Sequence, residues 1–152
     1  MYPEEIIKAF GAGLGLDLET DASGSCTFSA DSFTVTLTAL QGPENIALTA
    51  DLGDPPPEKL ENLYRLMLES NYLFNATGGA TLSINGENGH IVLCCIFPCR
   101  GADADAFPSA VERFVNVCES WSKIVAGYRY RVETSQNDSD RNMLQGIHFL
   151  RV

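Results

Sequence analysis

Phe33-Thr34-Val35-Thr36-Leu37-Thr38-Ala39 and, after a turn at Gln41-Gly42-Pro43, Ile46-Ala47-Leu48-Thr49-Ala50-Asp51-Leu52 place an apolar residue at every second position. That period matches a pleated strand with one dry and one wet face. The short link between the two runs predicts antiparallel pairing. Just upstream, Cys26-Thr27-Phe28 lies between turn-rich stretches and reads as a third, preceding strand. Together they predict an antiparallel meander.

Helices and two further strands flank it. Residues 3–14 carry Ile6, Ile7, Phe10 and Leu14 at helical spacing, and Gly11, Gly13 and Gly15 crowd the end as terminators. Beyond the meander, Pro55-Pro56-Pro57 breaks the sheet and leads into a helix over 58–74. Its stripe of Leu60, Leu63, Tyr64 and Met67 is widened by Leu66, Leu68, Tyr72 and Leu73. A helix covering one side of a sheet needs a stripe of only about 100°, so this one has a second surface to bury. Ala80, Leu82 and Ile84 mark a fourth strand, and residues 85–89 supply hairpin chemistry. The run 91–97, Ile-Val-Leu-Cys-Cys-Ile-Phe, has no polar face, so both faces are expected to be covered. A last helix over 103–128 carries Phe107, Val111, Phe114, Cys118, Trp121 and Val125 as one stripe. The fold class is α+β, in the order α-β-β-β-α-β-β-α, with helices packed on a twisted antiparallel sheet. Residues 1–128 form the domain and 129–152 a tail. In that tail the polar residues 133–142 form a linker, and the apolar end, 143–152, is expected to dock on the body.

Composition narrows the function. The chain has 152 residues and a net charge of −10. The tail from Arg129 is net +1, leaving −11 on the first 128 residues. An acidic body repels phosphate backbones and anionic membranes, so neither nucleic acid nor membrane is an expected partner. No apolar run reaches the ~20 residues that span a bilayer, and the acidic start lacks signal-peptide character. The expected location is the cytoplasm, with Cys26, Cys94, Cys95, Cys99 and Cys118 reduced.

No catalytic constellation stands out. Gly11-Ala12-Gly13-Leu14-Gly15 follows a helix, whereas a dinucleotide loop follows a strand. Cys94, Cys95 and Cys99 lack C-x-x-C spacing, and neighbours on a strand point to opposite faces, so they read as core thiols. His90 sits in a turn and His148 in the tail, each without a nearby nucleophile. The reading is a binding protein, with no enzyme activity, metal or cofactor.

Several segments resemble the class I chaperones of bacterial type III secretion, in their Tir-chaperone-like branch. Leu14-Gly15-Leu16 is similar to the family's opening, and Asp21, Gly24, Cys26, Phe28 and Asp31 to its first strand and turn. Residues 66–71, Leu-Met-Leu-Glu-Ser-Asn, followed by 77–82, Thr-Gly-Gly-Ala-Thr-Leu, resemble its helix-to-strand junction. Phe107, Glu112-Arg113-Phe114-Val115 and Glu119-Ser120-Trp121 are similar to its final helix. The likeness covers residues 1–128. It implies a homodimer, without cofactor, that holds the N-terminal segment of a secreted effector protein in extended form.

The candidate effector-binding residues are Phe10, Phe28, Phe33 and Val35 on the first helix and meander. The candidate dimer interface is Leu63, Met67, Leu68 and Ile96 on the second helix and fifth strand. Two alternatives stand beside this reading: a regulatory or protein-binding domain of the same fold unrelated to secretion, and a small-molecule-binding α+β domain.

Overall fold

The computed structural model describes residues 2–42 and 44–134, with side chains to Tyr128. The elements are α1 (Pro3–Gly13), β1 (Ser25–Ala30), β2 (Phe33–Leu40), β3 (Asn45–Gly53), α2 (Leu60–Asn71) with a 3-10 turn (Tyr72–Phe74), β4 (Thr81–Ile84), β5 (Ile91–Pro98) and α3 (Ala106–Thr134). The expected order holds. The strands form one open antiparallel sheet in the order β1-β2-β3-β5-β4. The last helix continues six residues past its expected end at Tyr128. The apolar end expected over 143–152, and the linker beyond Thr134, lie outside the described residues.

By their internal contacts the described residues divide into those of 2–50 with 94–115, and those of 51–93 with 116–134. In the first unit, β1 and β2 pair with Phe28 opposite Val35 and Ala30 opposite Phe33; Leu37 pairs with Leu48 across β2 and β3. Phe33, Val35, Leu37 and Ala39 are all buried, whereas Thr34 on the other face is exposed. Period-2 patterning therefore places the dry face as the alternation requires.

α1 shows why one glycine differs from the next. Leu16 N–H donates to the Gly11 carbonyl at 2.9 Å and Gly15 N–H to the Ala12 carbonyl at 3.1 Å, with Gly15 at φ +71°. This is a Schellman closure, and Gly15 is the residue that supplies the left-handed turn. Gly11, expected as a terminator, is instead a buried packing position inside the helix. A Cβ there would lie 2.8 Å from Leu18 Cγ and 2.9 Å from the Leu16 carbonyl oxygen, whereas at Gly13 it would meet nothing within 4 Å. Gly11→Ala is expected to cost about 1–3 kcal/mol through overpacking. Gly13→Ala is expected to stabilise by about 0.4–1 kcal/mol, because it removes unfolded-state freedom at a compatible φ. Chemical denaturation of the two variants should therefore shift in opposite directions.

In the second unit, Leu63, Leu66 and Met67 of α2 are buried, as are Ala80, Leu82, Ile91 and Leu93. Asn71 closes the α2–β4 junction with two hydrogen bonds: its Oδ1 accepts Leu82 N–H at 2.9 Å, and its Nδ2 donates to the Leu82 carbonyl at 3.1 Å. Trp121 of α3 is fully buried, and its Nε1–H donates to the Ala76 carbonyl at 2.9 Å. The helix expected through residue 74 instead ends at Asn71. Leu73 and Phe74 then take φ of 52° and 54°, a left-handed backbone that bulky residues adopt only at a cost.

The expectation that both faces of β5 are covered needs correction. Ile91, Leu93 and Phe97 are buried, but Val92, Cys94 and Cys95 are half-buried, and Ile96 is 56% exposed within the protomer. The core-thiol reading likewise holds for Cys99 but not for Cys94 and Cys95, which are half-buried.

Candidate peptide-binding surface

The surface is built within the first unit from α1, β1, the end of β5 and the start of α3. Phe10 of α1 sits edge-on to Phe28 of β1, with ring centroids 5.7 Å apart, and edge-on to Phe107 of α3 at 5.4 Å. Phe107 in turn packs edge-on to Phe97 at 5.0 Å. These are favourable quadrupole arrangements, so the four rings brace one another. One aromatic chain thus runs from an edge strand to the interior.

Among the described residues, β1 has a neighbour on one side only, β2. An extended peptide added along its other side would continue the ladder and turn alternate side chains toward the face that carries Phe28. Phe10 also borders an apolar cleft of about 390 Å³, lined by Ile6, Ala9, Gly13, Leu14, Phe97 and Phe107, with Asp103 the one charged lining residue among the described residues. A second cleft of about 340 Å³ lies beside β1 and is lined by Asp17, Glu19 and Asp21 together with Ser25, Cys26 and Thr27. The Ser23 hydroxyl donates to the Asp21 carboxylate at 2.6 Å and, with backbone N–H bonds from Ser25 and Ser23, holds its pKa below the usual value. Lys8 lies 3.6 Å from Glu19, an exposed pair that constrains neither side chain strongly.

The expected site residues divide by depth. Phe10 and Phe28 are half-buried and in contact; Val35 and Phe33, at 0% and 9% exposure, lie buried in β2, with Val35 directly opposite Phe28. Sequence reasoning left out Phe97 and the small residues Ala9 and Gly13. Only their convergence in space marks them, although Phe107 was already visible in the stripe of the last helix.

Among the expected interface residues, Leu63 and Met67 are buried inside the protomer, at 0% and 4% exposure. Leu68 and Ile96 are exposed. Leu68 begins a run that continues through Tyr72, Leu73 and Phe74, all exposed, the last two on the strained backbone noted above. These large outward apolar side chains, two of them on strained backbone, make the run a candidate contact surface.

Burial raises the pKa of Cys26, Cys94 and Cys99, and Cys95 is pushed up to about 11, chiefly by burial and then by Cys94, with Arg113 opposing. These thiols are protonated at neutral pH and so poor nucleophiles. His90 Nδ1 lies 2.8 Å from Asp51 Oδ2, a hydrogen-bonded contact at the protein surface. Among the described residues, no group of three or more His, Cys, Asp or Glu is placed to hold a metal ion. Nor, among them, is any helix long and apolar enough to cross a membrane.

The family described as the Tir chaperone protein (CesT) family matches residues 5–122. No curated protein sequence matches the chain. In structure the chain is similar to a chain of the ExsC–ExsE complex, with a TM-score of 0.68 at 19% identity, covering 80% of this chain and 92% of that one. It is similar to a chain of the HopA1–SchA chaperone–effector complex, with a TM-score of 0.60 at 20% identity, covering 83% and 91%. It is also similar to YbjN, a proposed transcription regulator from E. coli, with a TM-score of 0.57 at 13% identity, covering 86% and 91%. At these identities the likenesses establish the fold.

Proposed function

Because the chain belongs to the Tir chaperone protein (CesT) family, we propose that it is a type III secretion chaperone, holding the N-terminal segment of a secreted effector in extended form. The observation that carries this is the continuity of the β1 edge, the Phe28–Phe10 contact and the apolar cleft beyond it. An edge strand supplies backbone pairing without regard to sequence, and the cleft supplies anchorage for a side chain. Such a segment is kept unfolded by binding alone. The activity therefore needs neither catalysis nor a cofactor, and it takes place in the bacterial cytoplasm where effectors are made.

Phe10 and Phe28 make direct contact with the effector in this reading. Phe33 and Val35 support β1 from the buried face of β2. The working unit is a homodimer that uses the outward side of α2, with Leu68 at its centre and Leu63 and Met67 setting the helix from within, and Ile96 on β5.

The test is capture from the native cytoplasm by the intact protein. Wild-type protein is expected to retain one secreted protein through its N-terminal segment. A Phe10→Asp/Phe28→Asp variant is expected to lose it while keeping its far-UV circular dichroism. Equal capture by both would refute the surface. Polar changes at Phe33 or Val35 are expected to lower the melting temperature instead, since they bury an unpaired polar group.

A second reading, a regulatory or protein-binding role unrelated to secretion, is favoured by the likeness to YbjN. The same capture separates the two, since a partner that is never secreted would decide for this one.

A further inference from the structure

We infer that the Asn71 side chain closes the β4 edge of the sheet, and that without it a second copy of this chain pairs along that edge. Strand addition is thereby confined to β1, the edge that the proposed function uses.

Among the described residues β4 has one neighbour in the sheet, β5. Backbone groups of successive strand residues point alternately to one side and the other. Asn85, directly after β4, donates its N–H to the carbonyl of His90, directly before β5, at 2.8 Å. Thr81 and Ser83 therefore face β5 as well, and Ala80, Leu82 and Ile84 face away from it. The Ala80 N–H donates to the Thr77 carbonyl at 3.0 Å. Leu82 turns both an N–H and a carbonyl outward, and Asn71, the last residue of α2, meets them at 2.9 and 3.1 Å. A carboxamide carries an acceptor and a donor side by side, as a residue of an adjacent strand does. Turned over, it would set oxygen against oxygen and N–H against N–H. Asn71 thus stands in for one residue of a neighbouring strand.

Apart from its shortness, nothing within β4 guards the edge. Its sequence, Thr81-Leu82-Ser83-Ile84, has neither the charge nor the proline that blunts exposed edges, and Ile84 is exposed. β1 is built differently. The Gly24 carbonyl accepts the Ala39 N–H from β2 at 2.8 Å, so by the same alternation Ser25, Thr27 and Ser29 face outward. Asp21 meets Ser25, accepting its N–H on the carboxylate at 3.0 Å and donating to its carbonyl at 2.8 Å. Thr27 and Ser29 are exposed and carry no such plug among the described residues. One edge is closed at its middle and the other is open there. Two bared β4 edges running antiparallel match each other about a twofold axis, so the occupant they select is another copy.

The experiment follows the mass of the full chain against concentration, by light scattering after size-exclusion chromatography. Asn71→Ala, with its fold checked by circular dichroism, is expected to exceed the wild-type mass at equal concentration by roughly twofold or more, as open edges pair. Asn71→Ala/Ile84→Pro loses an outward N–H while the ladder to β5 stays whole, so the wild-type mass should return. Asn71→Ala/Ile84→Ala trims the exposed side chain but keeps that N–H, and the association should persist. Asn71→Asp keeps an acceptor for the Leu82 N–H and, ionised, has no donor for the carbonyl. It stands in, with the same Ile84 changes, should Asn71→Ala not fold.

A folded Asn71→Ala that keeps the wild-type mass at every concentration overturns the inference. So does association that survives Ile84→Pro, or that Ile84→Ala suppresses as fully, since the side chain and not the ladder would then join the copies. Hydrogen exchange gives a reading on wild type itself. Relative to each residue's unfolded rate, the Leu82 N–H should exchange at least about tenfold more slowly than those of Thr27 and Ser29. Equal rates overturn the plug as well. Each of these results leaves the chaperone reading standing, because that reading is tested by capture through β1.

Discussion

Trp121→Ala is expected to bring the protein to the edge of unfolding. Trp121 is fully buried in α3, and its indole N–H donates to the Ala76 carbonyl at 2.9 Å. Removing a buried indole costs about 3–5 kcal/mol through lost transfer energy and the cavity left behind. The Ala76 carbonyl would also lose its indole partner, adding about 1–3 kcal/mol if water cannot reach it. A domain of this size has only about 5–15 kcal/mol in hand. Trp121→Phe keeps most of the ring and loses the donor, so its cost should be smaller, about 1–3 kcal/mol by the hydrogen bond alone. Urea unfolding followed by far-UV circular dichroism orders the two variants; tryptophan emission cannot, because this is the chain's single tryptophan. A Trp121→Ala midpoint equal to wild type would show that the indole does not hold α3 to the turn at Ala76.

Adjacent residues on α2 should respond to the same change in opposite ways. Met67 is 4% exposed and Leu68 is 70% exposed. Met67→Glu would bury a carboxylate without a partner, so the protomer itself should fail to fold or should aggregate. Leu68→Glu should leave the protomer folded and break the dimer. A stable pair buries about 800 Å² on each partner, with most of the energy in a few central side chains. If Leu68 lies at the centre of the proposed twofold interface, two copies of a new charge there face each other or sit desolvated, and a loss of about 2–4 kcal/mol raises the dissociation constant by about 30- to 1000-fold. Light scattering after size-exclusion chromatography reads the mass, and circular dichroism confirms the fold. A protomer mass for the wild type at micromolar concentration would dispose of the dimer. A dimer mass for Leu68→Glu would move the interface away from α2.

These cases show how far the sequence carries. The alternation at Phe33–Ala39 and Ile46–Leu52 was enough for the meander, because a period of two admits one buried face. The excess of apolar residues on α2 was equally legible. Which of them faces outward was not, because Met67 and Leu68 are chemically alike and differ only in azimuth about the helix. Gly11 and Gly13 are identical letters two positions apart. One is pressed against Leu18 and the other opens into a cleft, a difference that no local pattern carries.

By itself, then, the sequence determined the identity and order of the elements, the dry face of β2 and β3, the acidic character of the surface and the absence of a familiar catalytic spacing. Those properties follow from local periodicity, turn chemistry and counts of charge. Tertiary structure decided that β5 inserts between β3 and β4, that α2 gives way to a strained turn at Leu73 and Phe74, and that Phe10, Phe28, Phe97 and Phe107 meet. Each of these depends on which distant surfaces close against one another. Long-range packing selects among arrangements that local preferences leave nearly equal in free energy.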